Sequence, residues 1–403
     1  MHYKETALKQ GDIVMNVLHI CTFYHRAMIF YDSITALGKI GVNSNVFNAV
    51  AKGTVIDDEY KGIMDDRVIH TECFNKLDRY LFFYKQRKIY NAICRETNIS
   101  AYDLIHSHTL FNGGYAAYRL KKRFGIPYVI SVRDTDVNYF LKIPFLKIVA
   151  NRIIQESSGI QFLSKPYKDD FILKYLDRKL LNDFQDKSVI IGNGVESFWL
   201  QNKNTSKQLH QNVVKALYTG RINANKNMGT TLAALDIIKN QGYSICFTVA
   251  GKIESKRVFR MLEKSENTKV LRHMKKEELL HVFREHDIFI MPSIKETFGR
   301  VYAEAISQGL PVIYSKGQGF DGNFDDGVVG YAVPSRDSGY IADCIIKILN
   351  DYEKISERCI EKSVIFDWDD IAANLKYLYI GSIERSRQRV LHNTTSALHD
   401  SKT

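Results

Sequence analysis

No stretch of this chain strings together the roughly 18 uninterrupted apolar residues of a membrane-spanning helix. Its opening, MHYKETALKQGD, is polar and lacks the apolar run of a signal peptide. The expectation is a protein neither exported nor integral to a membrane. The six cysteines, at 21, 73, 94, 246, 344 and 359, form no CxxC pair and no zinc spacing. They fit a reducing, cytoplasmic compartment and read as core residues. There is no internal sequence repeat. A formal charge of +11 points to an anionic partner, whether nucleic acid, lipid headgroup or phosphorylated substrate, and charge alone does not choose among them. A basic nucleic-acid-binding protein should carry a helix-turn-helix, an aromatic RNA platform or clustered zinc ligands, and none is evident.

What is present suits two domains. At 403 residues and 45% hydrophobic content the chain fills two cores of ordinary size. Short apolar runs rich in Val, Ile and Phe alternate with helix-length amphipathic stretches, which predicts parallel sheets covered on both faces. One series uses VMNVLHI, DLIHS, PYVISV and GIQFLS as strands, with GGYAAYRLKKRF as a helix between them, and ends near Phe198. The polar stretch QNKNTSKQLHQN from Gln201 reads as a hinge. A second series follows in VVKALYTG, ICFTVAG, DIFIMP and PVIYS, and a last helical pattern, WDDIAANLKYLYIGSI, starts at Trp368.

The most informative segment is KETFGRVYAEAISQGLPV, Lys295 to Val312. A helix should begin near Gly299 and stop at Gly309, because Pro311 rules out continuation and PVI starts a strand. Glu296 precedes the glycine turn and Glu304 follows it. The free N–H groups of such a helix start face an anion, as a phosphate would be. Glu304, early in the helix, is placed to accept hydrogen bonds from two neighbouring hydroxyls, as in a ribose. Two glutamates at this spacing occur by chance in most chains of this length, so the surrounding sequence carries the weight.

That surrounding sequence resembles the signature of glycosyltransferase family 4, the retaining glycosyl transferases group 1 of GT-B fold. The resemblance spans roughly residues 13 to 382: EELLHVFREHDIFIMPS before the signature, LYTGRINANKN with Gly220, Arg221 and Lys226, NVLHICT as the opening strand, DLIHSH ending in a histidine, and IGNGV approaching the interdomain linker. It implies an α/β protein of two Rossmann-like, doubly wound parallel-sheet domains facing a cleft. Residues 1–198 would bind acceptor and 199–367 nucleotide sugar. Residues 368–385 would form a helix crossing back onto the first domain, and 386–403 a disordered tail.

The implied activity is retaining, metal-independent hexosyl transfer from a nucleotide diphosphate sugar to a saccharide or lipid-linked saccharide, in capsule, exopolysaccharide or O-antigen (lipopolysaccharide) synthesis. No cofactor and no metal is expected. Catalysis requires fixed positive charge at the departing diphosphate. Arg221 and Lys226, on the loop after a strand, suit that role. Without the resemblance they read as ordinary surface cations. Glu296 would hold hydroxyls of the transferred sugar and Glu304 the ribose, with Gly220 and the backbone N–H groups near Phe298 and Gly299 meeting donor oxygens. On the acceptor side stand His108, Asp136 and Arg133. The last replaces the histidine of the family's His-Gly-x-Asp and leaves acceptor geometry open.

Three further strings have competing readings. Gly317, Gly319 and Gly322 make a GxGxxG after PVIYS, but the acidic FDGNFDDG beyond it does not open a helix, so a turn beside the sugar is preferred to a dinucleotide site. Asp134-Thr135-Asp136 resembles a divalent-metal motif of other glycosyltransferase folds, but its position in the first domain argues against that. His106 and His108 form an HxH that would bind zinc only with a third ligand. Two basic, aromatic stretches, KLDRYLFFYKQRKIYNAICR from Lys76 and NYFLKIPFLKIVANR from Asn138, read either as helices packed on the sheet or as contacts with an anionic membrane surface. The resemblance tips the balance to peripheral attachment on the inner face of the plasma membrane, with no nucleic-acid partner. The enzyme alternative is a GT-B sugar-nucleotide epimerase or hydrolase.

Overall fold

The strand MNVLHI is apolar on both faces, and a strand of that kind must be covered on both faces. In the computed structural model, which describes residues 14–209 and 213–400, it is β1 (Met15–Ile20), an interior strand of a seven-stranded sheet. The others are β2 (Val42–Ala51), β3 (Val68–Phe74), β4 (Leu104–Ser107), β5 (Tyr128–Val132), β6 (Gly159–Phe162) and β7 (Ser188–Ile190), in the order β3-β2-β1-β4-β5-β6-β7. Every pairing is parallel, with Met15 opposite Val42 and Val17 opposite Leu104. The second sheet comprises β8 (Val213–Thr219), β9 (Ser244–Ala250), β10 (Thr268–Leu271), β11 (Ile288–Met291), β12 (Val312–Ser315) and β13 (Gly330–Val333), in the order β10-β9-β8-β11-β12-β13, also parallel. The first unit comprises the chain up to Leu163, Lys168–Ile191 and the chain from Trp368; the second comprises Ser164–Tyr167 and Gly192–Asp367.

In both sheets the strand order reverses beside the first strand of the series, between β1 and β4 and between β8 and β11. Crossovers leave such a point in opposite directions, so a crevice opens at the carboxyl ends of those strands, where open α/β sheets bind ligands.

The helix Trp368–Asp400 belongs to the first unit. Trp368, Ile371, Ala372, Leu375, Leu378 and Tyr379 fall on one face and pack with Met15, Val17, Leu37, Leu104 and Val129. Lys376 Nζ donates to the Ile40 carbonyl at 2.6 Å, just past the end of the helix Met28–Lys39. The helix runs on to Asp400, so residues 386–400, expected as a disordered tail, are helical. Arg385, donating to the Ser158 carbonyl, and Arg389, paired with Asp183, tether that extension to the first unit.

The expected hinge also differs. The chain leaves the first unit after Ile191, within IGNGV rather than at Gln201. The polar stretch from Gln201 is a strap on the second unit. Asn204 N–H donates to the Ser307 carbonyl, and Lys207 N–H donates to Ser356 Oγ. Lys207 Nζ donates to the carbonyls of Phe283, Arg284 and His286, capping the helix Lys276–Glu285. The opening MHYKETALKQGD, residues 210–212 of the expected hinge and the last three residues of the expected tail lie outside the described residues.

Candidate active site

The crevice of the second unit is built by loops fastened to one another. Gly220 follows β8 at φ 136°, and Gly251 follows β9 at φ 148°. A Cβ on Gly251 would lie 1.9 Å from the Gly220 carbonyl oxygen, so only glycine permits this approach. The turn Ala224–Lys226 then reaches across to the loop after β11. Asn225 Nδ2 donates to the Lys295 carbonyl at 2.8 Å, its Oδ1 accepts from Lys295 N–H at 3.1 Å, and its carbonyl accepts from Ile294 N–H at 2.8 Å. These bonds set Lys226 Nζ 2.7 Å from Glu296 Oε2, with the side chains only 12% and 18% exposed. Such a pair loses hydration in return for attraction and is weak grounds for a purely stabilising role. In a crevice it is a functional candidate.

The glycine string after β12 holds Glu296 from the other side. Glu296 N–H donates to Gln318 Oε1 at 2.9 Å, and its carbonyl accepts from Gly319 N–H at 2.6 Å. A Cβ on Gly319 would fall 2.0 Å from the Thr297 carbonyl carbon, so the loop lies flat on the Glu296–Phe298 backbone because residue 319 has no side chain.

The signature helix is Arg300–Ser307, entered through Gly299 at φ 76°. It closes as the sequence indicates. Gly309 sits at φ 76°, Leu310 N–H bonds the Ala305 carbonyl and Gly309 N–H the Ile306 carbonyl, before Pro311 and β12. The Phe298 ring is buried, 5.8 Å from Phe366 by ring centroids, so it anchors the turn and leaves only its backbone for a ligand. The first N–H groups of the helix have no intrahelical acceptors and no acidic side chain in the first turn. Half-buried Glu304 has its carboxyl pushed up to about 7 by burial, with Arg300 opposing and Glu196 adding to the rise. Arg221 stands apart from the Lys226–Glu296 pair. Its side chain is 68% exposed and lies 3.5 Å from Glu254.

In the first unit the acceptor-side candidates are more enclosed than their sequence suggests. Asp136 is fully buried and accepts N–H bonds from Leu110, Phe111 and Arg133 at 2.9 to 3.1 Å, bracing the loops after β4 and β5. Burial pushes its carboxyl up to about 6, while those N–H groups and Arg133 pull the other way. Asp134 instead accepts from Asn138 Nδ2, so the two aspartates do not converge as chelators. Arg133 Nε donates to the His108 carbonyl at 2.9 Å, and its guanidinium lies 4.8 Å from the centre of the Phe30 ring.

His108 is buried and meets His19 of β1, Nε2 to Nδ1 at 2.9 Å. With His106 these form a cluster whose ring nitrogens lie within 4.8 Å of one another, so the third histidine comes from 89 residues before His108. Burial holds all three rings neutral, and His19 is pushed down to about 3. The His106 and His108 rings stack at 4.2 Å, and both His106 nitrogens are bonded, to Tyr379 and Ser131. Stacked faces do not aim two lone pairs at one ion. The cluster is two buried hydrogen-bonded groups in stacking contact, His19 with His108 and with Ser44 of β2, and His106 with Ser131 of β5 and Tyr379 of the C-terminal helix.

Residues 201–364 match the family model described as glycosyl transferases group 1. An uncharacterized glycosyltransferase of Methanocaldococcus jannaschii is 22% identical over 83% of this chain and 89% of its own. Over residues 201–364 the chain is therefore similar to that glycosyltransferase group, and the likeness to a glycosyltransferase extends over most of its length. The capsular polysaccharide biosynthesis glycosyltransferase CapM of Staphylococcus aureus is 26% identical over 41% of this chain and 47% of its own. Among solved structures, sucrose-phosphate synthase from Thermosynechococcus elongatus superposes with a TM-score of 0.69 at 17% identity, over 91% of this chain and 98% of that one. Anabaena HepE in complex with UDP-glucose gives 0.64 at 16%, over 90% and 98%. The GT-B fold of this glycosyltransferase is therefore that of its structural neighbours. Its sequence signature marks Glu296, Gly299 and Glu304, whereas Asn225, Gln318 and His19, which fasten the sites, sit in loops or apolar strands with no local pattern to single them out.

Proposed function

We propose that this glycosyltransferase retains anomeric configuration and works without a metal, taking a nucleotide diphosphate sugar on its second unit and a saccharide or lipid-linked saccharide on its first. The observation that carries this reading is the shielded Lys226–Glu296 pair beside the open N-terminus of Arg300–Ser307, at the strand-order reversal of the second sheet. The diphosphate sits on the helix N–H groups with Lys226 against its oxygens, and Arg221 swings from solvent to join it. Glu296 accepts from hydroxyls of the transferred sugar, and Glu304 from the ribose. The anomeric carbon–oxygen bond to the diphosphate breaks, the acceptor oxygen bonds that carbon on the same face, and its proton passes to the departing diphosphate. The UDP-glucose of the Anabaena neighbour supports a nucleotide-sugar donor, and the capsular polysaccharide biosynthesis named for CapM supports a surface-polysaccharide role, which this enzyme would carry out at the cytoplasmic face of the membrane.

The test is transfer from a panel of nucleotide sugars, with and without EDTA, and the anomer of the product read by NMR. Turnover should survive chelation with retention. Lys226→Met and Glu296→Gln should each lower it about 100-fold with the circular dichroism unchanged, the usual loss for one pre-organised charge-stabilising group. Activity that vanishes with EDTA and returns with manganese overturns the metal-free reading. Near-wild-type transfer by both variants overturns the site. Donor consumption without any acceptor points instead to an epimerase or hydrolase.

A further inference from the structure

The first sheet has its own crevice, where its strand order reverses between β1 and β4. A cavity of about 490 Å³ lies by these strand ends, with Phe23 from the segment after β1, Asn112 from the loop after β4 and Thr135 from the short helix Asp134–Asn138 after β5 in its wall. That volume is in the range of small-molecule sites. Phe82, Tyr139 and Phe140 give it aromatic faces, the kind of surface that packs against the C–H face of a sugar ring.

Arg79 of this wall is exposed and bonds Tyr80, whereas two shielded polar groups beside it, Lys85 and Gln86, have bonding capacity unfilled. Lys85 is half-buried, and no carboxylate pairs with it among the described residues. Its ammonium has Asn112 Oδ1 at 3.1 Å and the centre of the Phe74 ring at 4.7 Å. Burial pushes it down to about 8, which leaves it mainly cationic at neutral pH. Gln86, next to it, is 1% exposed. Its Nε2 donates to the Asn112 carbonyl at 3.4 Å, while its Oε1 is buried with no hydrogen-bond partner. An unpaired buried oxygen costs free energy that a ligand donor restores. A cation lacking an anion and an acceptor lacking a donor, side by side in an aromatic cavity, are complementary to a body that carries both a negative group and hydroxyls.

We propose that this cavity takes the acceptor, and that the acceptor is anionic: a sugar whose carboxylate, or whose lipid-linked phosphate, meets Lys85 while a hydroxyl donates to Gln86. The inference rests on the transferase reading and names the class of its second substrate. Sugar carboxylate and lipid phosphate present the same charge to Lys85, and the choice of probes separates them.

The experiment is calorimetric titration of the full chain with octyl β-D-glucuronide, octyl phosphate and the neutral octyl β-D-glucoside, each below its micellar concentration. At least one anionic probe should bind ten-fold or more tighter than the glucoside, and the stronger of the two identifies the source of the charge. Lys85→Met should bring the charged and neutral sugars within two-fold of each other, Lys85→Arg should keep the preference, and Gln86→Leu should weaken both sugars. Equal affinity of wild type for the three probes, or a preference that survives Lys85→Met, overturns the proposal, and the first comparison stands even if the variant fails to fold. UDP titrated into the same samples separates the two readings. Retained UDP binding without anionic preference removes this site alone, whereas loss of nucleotide-sugar binding in wild type removes the transferase reading.

Discussion

Glu304 titrates where most carboxylates do not. Burial pushes it up to about 7, and the ribose role assigned to it requires the ionised form, which accepts from two hydroxyls at once. Below that pH the carboxyl holds a proton and must give one up to bind. UDP affinity is therefore expected to fall about ten-fold between pH 8 and pH 6, one pKa unit below the midpoint being about 1.4 kcal/mol. Titration of Glu304→Gln over the same range subtracts the ionisation of the phosphate itself and should show the slope removed. The linkage to folding has the opposite sign. An acid whose folded pKa is raised binds more protons folded than unfolded, so its contribution is full below the unfolded value and is lost as pH rises through about 7. The Gln variant should accordingly melt higher than wild type at pH 8. If UDP affinity has the same pH slope in both proteins, Glu304 does not hold the ribose. Glu304 was legible in the sequence because it follows a glycine turn at helical spacing. Its ionisation was not, because burial comes from elements distant in the chain.

Among the secondary elements, those with continuous apolar runs or glycine and proline punctuation were legible: β1, β4, β5, β6, β8, β9, β11, β12 and the signature helix. The strands that escaped notice, β2, β3, β7, β10 and β13, are edge strands, short, or interrupted by polar residues. In β2, Asn48 is fully buried because His25 and His70 bond it, which no local pattern reveals. The polar strap from Gln201 misled for a related reason, since polar composition marks a loop and does not say whether carbonyls elsewhere fasten it. One contact tests how tightly the elements are seated. A Cβ on Gly159 of β6 would lie 2.4 Å from Ser382 Oγ and 2.8 Å from Leu378 Cδ1 of the C-terminal helix. Gly159→Ala should cost about 1 to 3 kcal/mol, as overpacking does. Ser382→Ala in the same chain should recover part of it, read from denaturant midpoints as a double-mutant cycle. An unchanged midpoint for the single variant means that the helix does not lie on β6 as described.

The whole chain carries a charge of +11, and in the first unit exposed apolar side chains are interleaved with lysine and arginine. The helix Phe82–Glu96 buries Ile89, Tyr90 and Ile93 on its sheet, as a packed helix should, yet Leu77, Tyr80, Leu81, Phe83 and Tyr84 around its start are exposed. Tyr139, Phe145 and Ile148 of the second basic stretch are exposed too, and the Phe83 ring lies 6.3 Å from that of Phe145. A joined apolar patch of this kind marks an interaction surface. No helix among the described residues is long and apolar enough to cross a membrane. Of the cations on the first stretch, Lys85 turns inward, Lys88 pairs with Asp78 at 2.7 Å and Arg95 pairs with Glu96, which leaves Lys76, Arg79 and Arg87 outward, with Lys142, Lys147 and Arg152 exposed on the second stretch. Each outward cation near an anionic bilayer contributes about 1 kcal/mol, and that attraction is screened by salt. Cosedimentation with anionic vesicles is expected at low salt, much less with neutral ones, and less still as salt rises. Replacing Lys76, Arg87 and Lys142 with glutamate should release the protein while UDP affinity stays within two-fold. Phe83→Ser with Phe145→Ser should weaken attachment even at low salt, since the rings supply the part that charge does not. If anionic vesicles bind no better than neutral ones, or the charge reversal leaves binding unaltered, the patch serves a protein partner and the acceptor reaches this enzyme from solution.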